Sequence, residues 1–191
     1  MKRLQGIFIS LIILGSINGC ATDSQHEKST EFPFDLMVNI IDLSNQFKYW
    51  GGEFPIVDGA ISLKVSYRNK SEKTGAFFTH QISIYTDTES AQLAFPSWEN
   101  DWFNEHWIHP LNSVYSPKDL KDTYRLECMD LEINSLPTKS CTLLQLHNNL
   151  VILVLANINT DNISFSEFEE ILTKLDTRLP TDEIYLPITQ K

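Results

Sequence analysis

The alternation of apolar and polar positions divides the chain into strand-like and helix-like stretches. Residues 61–68 alternate strictly, with Ile61, Leu63, Val65 and Tyr67 on one side, which predicts a half-buried strand. After a polar turn at 69–75, residues 76–86 read as its partner, with Phe78, His80, Ile82 and Ile84 sharing one face by the two-residue period. Residues 150–156 are continuously apolar, as in a central strand covered on both faces. Residues 124–133 and 140–147 read as two further strands, and Asn148-Asn149 suits a tight hairpin turn. Helical spacing occurs three times. Leu36, Ile40, Leu43 and Phe47, widened by Met37 and Ile41, predict a first helix ended by Gly51-Gly52. Ala91, Phe95, Trp98 and Trp102 predict a second, capped by Asp87 or Thr88 and kinked or divided at Pro96. Phe165, Phe168, Leu172, Leu175 and Leu179 predict a third, opened by the capping box of Ser164 and Glu167 and stopped by Pro180. Pro110 and Pro117 mark a long irregular stretch.

The predicted order is α-ββ-α-βββ-α. Short links between neighbouring strands imply antiparallel pairing. The expected class is α+β: an antiparallel sheet of about five strands with helices packed mainly on one face. This order loosely resembles that of small extracytoplasmic sensor or PsbP-like domains, a likeness of topology that implies nothing about activity.

The N-terminus changes the picture from a fold to a location. Met1-Lys2-Arg3 is a basic segment, and the apolar run that follows, from Ile7 to Leu14, is too short to span a bilayer, which takes about 20 residues. It ends in Ile17-Asn18-Gly19-Cys20. That tetrapeptide resembles the lipobox of bacterial lipoproteins. The resemblance implies cleavage after residue 19, a diacylglycerol on the Cys20 sulfur, an acyl chain such as palmitate on the new amino group, and firm membrane anchoring. Ala21 stands where an aspartate would resemble an inner-membrane retention signal, so in a Gram-negative cell the implied place is the periplasmic face of the outer membrane. The expected organisation is a signal peptide over 1–19, a lipidated cysteine and polar tether over 20–33, and one extracytoplasmic domain over 34–191.

Charge and cysteines sharpen this reading. The formal charge of −10, from 25 acidic and 15 basic side chains, argues against a nucleic-acid partner. Loss of Lys2 and Arg3 with a signal peptide moves it to −12. An exported chain lies in an oxidising compartment, where Cys128 and Cys141, on adjacent predicted strands, form a structural disulfide. Its loop of about 14 residues corresponds to ~3 kcal/mol in the chain-entropy treatment.

Candidate chemistry is sparse. No glycine pattern makes a phosphate-binding loop. Residues 157–168 resemble a calcium loop, but Glu167 is one position early, Asn162 replaces the turn glycine, and a strand precedes it. His106 and His109 are weak metal candidates, with Glu105, Glu99 or Asp101 able to supply oxygen. His80 lies on an apolar strand face and has no nucleophile to pair with. Phe95, Trp98, Trp102, Phe103 and Trp107 form an aromatic cluster. It is either the core of a kinked helix or the lining of a ligand groove, with Trp98, Trp102, Phe103, Trp107 and His80 as groove candidates. The expected function is a lipid-anchored, non-catalytic binding or assembly module of the cell envelope, taking an envelope protein or small molecule and no cofactor. A small-ligand sensor and a metal-dependent or histidine-based enzyme are the alternatives.

Overall fold

A computed structural model describes residues 32–57, 59–71, 75–159, 162–181 and 185. The basic segment, the lipobox with Cys20 and the tether up to residue 31 lie outside the described residues. Among the described residues seven strands form one sheet: β1 (Phe47–Glu53), β2 (Ile56–Val57), β3 (Ala60–Asn69), β4 (Phe77–Ile84), β5 (Thr123–Ile133), β6 (Leu136–His147) and β7 (Leu150–Ile158). The spatial order is β1-β3-β4-β7-β6-β5, with β2 added to β3, and every pairing is antiparallel. Two α-helices, α1 (Thr88–Trp102) and α2 (Phe165–Asp176), accompany it. The architecture is therefore α+β with a single antiparallel sheet, as the hydrophobic pattern predicts, with more strands than expected. Among the described residues no helix is long and apolar enough to cross a membrane.

The two α-helices lie on opposite faces of the sheet, which corrects the expectation of helices mainly on one face. The cause is visible in β7. Leu150, Ile152, Val154 and Ala156 join a core cluster with Phe168, Ile171, Leu172 and Leu175 of α2. Val151 and Leu153 join a second cluster with Ala91, Phe95 and Trp98 of α1. A strand that is apolar on both faces needs a cover on both.

The helix expected over residues 36–47 is not formed. Two 3-10 turns, Phe34–Leu36 and Ile40–Asp42, are followed by β1. Leu36, Leu43 and Phe47 are buried as their spacing suggests, but separate elements bring them inward, while Ile41 is 83 % exposed. Tertiary bonds claim the backbone a helix would need. The Val38 N–H donates to His80 Nδ1 at 3.0 Å, and its carbonyl accepts from the Tyr67 hydroxyl at 3.1 Å. Gly51 and Gly52 sit inside β1, where the register with β3 shifts between Tyr49 and Gly51.

Elsewhere the differences are local. Helix α1 runs unbroken through Pro96. Proline leaves the carbonyl four residues back without a partner, and here that is Gln92, on the solvent side. Asp87 caps the helix by accepting from the Ser90 N–H at 2.7 Å. Strand β6 begins at Leu136, not at residue 140. Asn134 and Ser135 both take positive φ (52° and 64°), making a two-residue hairpin turn. Pro137 is tolerated because β6 meets β7 only from Lys139 onward, so no ladder bond is lost on that side. The Cys128–Cys141 disulfide, S–S 2.05 Å, joins directly opposed residues of β5 and β6.

Candidate functional site

Helix α1 covers only part of its face. It packs over the β6 and β7 half, against Leu144, Val151 and Leu153. The alternation of β3 and β4 decides what the other half presents. Ile61, Leu63, Val65 and Tyr67 pair with Ile84, Ile82, His80 and Phe78 toward α2. Ser62, Lys64 and Ser66 therefore point the other way, paired with Ser83, Gln81 and Thr79. Hydroxyls bond across the strands, Ser62 Oγ to Ser83 Oγ at 2.7 Å and Ser66 Oγ to Thr79 Oγ1 at 3.1 Å. Beyond them lies an open recess of about 670 Å³, lined by Lys48, Trp50, Lys64, Ser66, Arg68 and Thr79 among others. The Arg68 guanidinium stacks on the Trp50 ring, 3.8 Å from its centroid. Lys64 Nζ is 3.5 Å from the exposed Glu53 carboxylate. Three cations and one carboxylate thus gather on a chain whose overall charge is −10. The recess offers charge and hydrogen bonds to an anion, with an aromatic ring, 53 % exposed, beside them.

The residues singled out from the sequence lie elsewhere. Trp98 is buried beneath α1, and its indole N–H donates to the Tyr85 hydroxyl at 2.8 Å. Phe103 is buried, with Trp107 packed edge-on at 5.6 Å and Arg125 over its ring at 4.4 Å. Trp102 and Trp107 are half-buried members of the same cluster. The aromatic cluster is accounted for by packing of α1 on the sheet. His80 is sealed in the opposite core. Burial, helped by Arg178 and opposed by Asp42, pushes its pKa down to about 3. Since Nδ1 accepts from Val38, the neutral ring carries its proton on Nε2. His106 and His109 are exposed, His106 lying 3.9 Å from Glu105 and His109 Nδ1 donating to the Leu126 carbonyl at 3.0 Å. The three histidines do not converge. Asn157 and Glu167 of the calcium-like loop are also committed, to the Gly75 carbonyl and to the Ser164 cap.

Among the described residues one other group has metal-ligating side chains close together: Asp119, Asp122 and His147, within 4.8 Å of one another. Its histidine is already used on both nitrogens. Nδ1 lies 2.9 Å from Asp122 Oδ1 and Nε2 lies 2.8 Å from the Pro180 carbonyl. Both partners are acceptors, so the ring donates twice and is cationic. Burial opposes that charge, but the bonds to Asp122 and Pro180 outweigh it and hold the pKa above the ordinary histidine value. A doubly protonated imidazole has no lone pair for a metal.

The pair belongs to a network that fastens the crossover over residues 110–122. Glu169 Oε1 accepts from the Ser113 hydroxyl and from the Val114 and Tyr115 amides at 2.7–3.0 Å. Asp176 accepts from the Lys118 amide at 2.5 Å and from Gln145 at 2.9 Å. Both carboxylates are buried. Sequence reasoning missed them, although two acids seven residues apart beside the apolar stripe of α2 were the available signal. Lys48, Trp50, Lys64 and Arg68 were missed because the helix expected to end at Gly51-Gly52 hid β1.

No protein-family model matches the chain, and no curated protein or solved structure is significantly similar to it.

Proposed function

We propose that this chain is a lipid-anchored, extracytoplasmic binding module, non-catalytic, whose ligand surface is the open half-face of β1, β3 and β4 and whose ligand is anionic. The lipobox-like Ile17-Asn18-Gly19-Cys20 supports the anchor. The gathering of Lys48, Lys64 and Arg68 around an exposed Trp50 supports the anion-binding surface and carries this reading. Like cations gathered in one recess repel one another and focus the local field toward an incoming anion, which relieves that repulsion. At the recess Arg68 and Trp50 are exposed and Lys48, Lys64 and Ser66 are partly exposed, while Ser62, Ser83, Gln81 and Thr79 are buried beneath it.

Titration with inorganic phosphate and with a polyuronate, followed by tryptophan emission, tests the surface. Saturable change is expected, lost in Trp50→Phe and weakened about tenfold or more in Arg68→Glu, since a charged hydrogen bond is worth ~1.5–3 kcal/mol. Absence of saturation with either anion overturns the binding reading. Membrane fractionation of Cys20→Ser tests the anchor separately: release is expected, and retention contradicts it.

A further inference from the structure

The β1 edge, where the recess side and the α2 side meet, carries exposed apolar side chains, and their position bears on which anion the half-face meets. Phe34 is 61 % exposed, Ile41 83 %, Tyr49 60 %, Trp50 53 % and Phe54 65 %. They are grouped. Phe34 meets Phe54 edge to face at 6.5 Å, and the Ile40–Asp42 turn packs on β1, which carries Tyr49 and Trp50. Strand β1 ends the sheet on this side. Large apolar side chains are also exposed on α1, at Leu93, and in the segment before β5, at Ile108, Leu111, Val114 and Leu120, so exposure by itself does not single out the β1 edge.

The tether enters the domain here. Phe32 is buried, and its ring lies 5.5 Å from that of Phe34. Eleven residues, 21–31, separate it from Cys20. A coil of eleven residues would span roughly 18 Å on average. A domain of this size has a radius of gyration of about 15 Å, so its far side stands well beyond that reach. The Phe34, Tyr49, Trp50 and Phe54 side chains are therefore held closest to the bilayer. Trp and Tyr favour the headgroup level, where ring and polar tip are both satisfied. Lys48, Lys64 and Arg68 sit alongside, while the remaining acidic surface is repelled by anionic lipid.

Resting on the anchored binding module proposed above, we infer that the anion taken by the half-face is the headgroup phosphate of net-anionic lipids in the membrane that carries the anchor, with the Phe34–Phe54 and Trp50 aromatics seated in the interface. The domain then lies against the bilayer on its β1 edge, presenting the crossover over residues 110–122 away from it.

The test uses the full lipidated protein on phosphatidylcholine vesicles containing phosphatidylglycerol, with or without brominated acyl chains. The Trp50 contribution is taken as the difference in emission between wild type and Trp50→Phe. Bromine should quench it. Replacing phosphatidylglycerol by phosphatidylcholine should weaken the quenching, as should Lys48→Gln and Arg68→Gln, by about fivefold in partitioning for each cation. Phe34→Ser, at an exposed position, should reduce it as well. Protein that floats with the vesicles but shows no bromine quenching of Trp50 overturns the inference and leaves the anchor standing. Quenching that ignores both phosphatidylglycerol and the cations also overturns it. Failure to float at all rejects the anchor, and saturation by soluble anions without quenching assigns the surface to a soluble ligand instead.

Discussion

On the α2 side of the sheet, Phe78, His80, Ile82 and Ile84 of β4 meet Phe168, Leu172 and Leu175 in one continuous core. On the other side the same strand carries the buried Thr79, Gln81 and Ser83, and α1 packs mainly on β6 and β7. The closed side holds the sheet, the N-terminal turns and the crossover in place. The other side buries Ser62, Ser83, Thr79 and Gln81 and leaves Arg68 and Trp50 exposed at the recess. The two-residue period alone separates apolar from polar side chains along β4. Buried polar groups occur on both sides but are satisfied differently: across strands by hydroxyl pairs on one, by carboxylates on the other. On the closed side Glu169 and Asp176 accept from crossover amides, so irregular backbone is held by carboxylates where no ladder exists.

Truncation should break the comparison most severely on the closed side. Phe168→Ala removes a fully buried ring and should cost about 3–5 kcal/mol, measured by urea unfolding. Ser66→Ala on the open face should stay within about 1 kcal/mol, the range of a single neutral hydrogen bond. Equal losses would show that the open face is core.

The pH profile of stability should come next, because the closed side buries two histidines of opposite habit. His80 has a folded pKa of about 3 against about 6.5 when unfolded. The unfolded chain then binds the extra proton between those values. Stability from His80 is present above about 6.5 and falls with acidification, by at most about 1.4 kcal/mol per pH unit. His147 is raised, so its contribution is present below about 6.5 and is lost as pH rises through its folded pKa. Urea midpoints across pH should show a maximum near neutrality. His147→Gln should flatten the alkaline limb, and an unchanged limb would contradict the doubly bonded imidazolium.

The smallest stability effect belongs to the recess. Arg68→Ala removes an exposed cation and should change stability by no more than about 0.5 kcal/mol while weakening anion binding. A large destabilisation would make the Trp50–Arg68 stack a structural brace.

Much of the fold was legible in the chain. The alternation over residues 61–68, the apolar run over 150–156, the Ser164 cap and the Asn148-Asn149 turn each specify local structure through nearest neighbours, and each is observed. The Cys128–Cys141 pairing followed from two adjacent strands. The candidate site was not legible. Trp50 and Arg68 are brought together only by the pairing of β1 with β3, across a bulge no local pattern announces. The helical spacing of Leu36, Ile40, Leu43 and Phe47 was real, yet His80 and Tyr67, distant in sequence, took the Val38 amide and carbonyl and made the segment irregular.

The sequence by itself determined the class of fold, most strand and helix positions and the disulfide, because each depends on period or spacing. Only the tertiary structure decided that the helices take opposite faces, that the tryptophan-rich segment packs into a core, and that the cations meet on an uncovered half-sheet. Those outcomes depend on which surfaces remain after every apolar face has found a cover, and that is a property of the whole sheet rather than of any one segment.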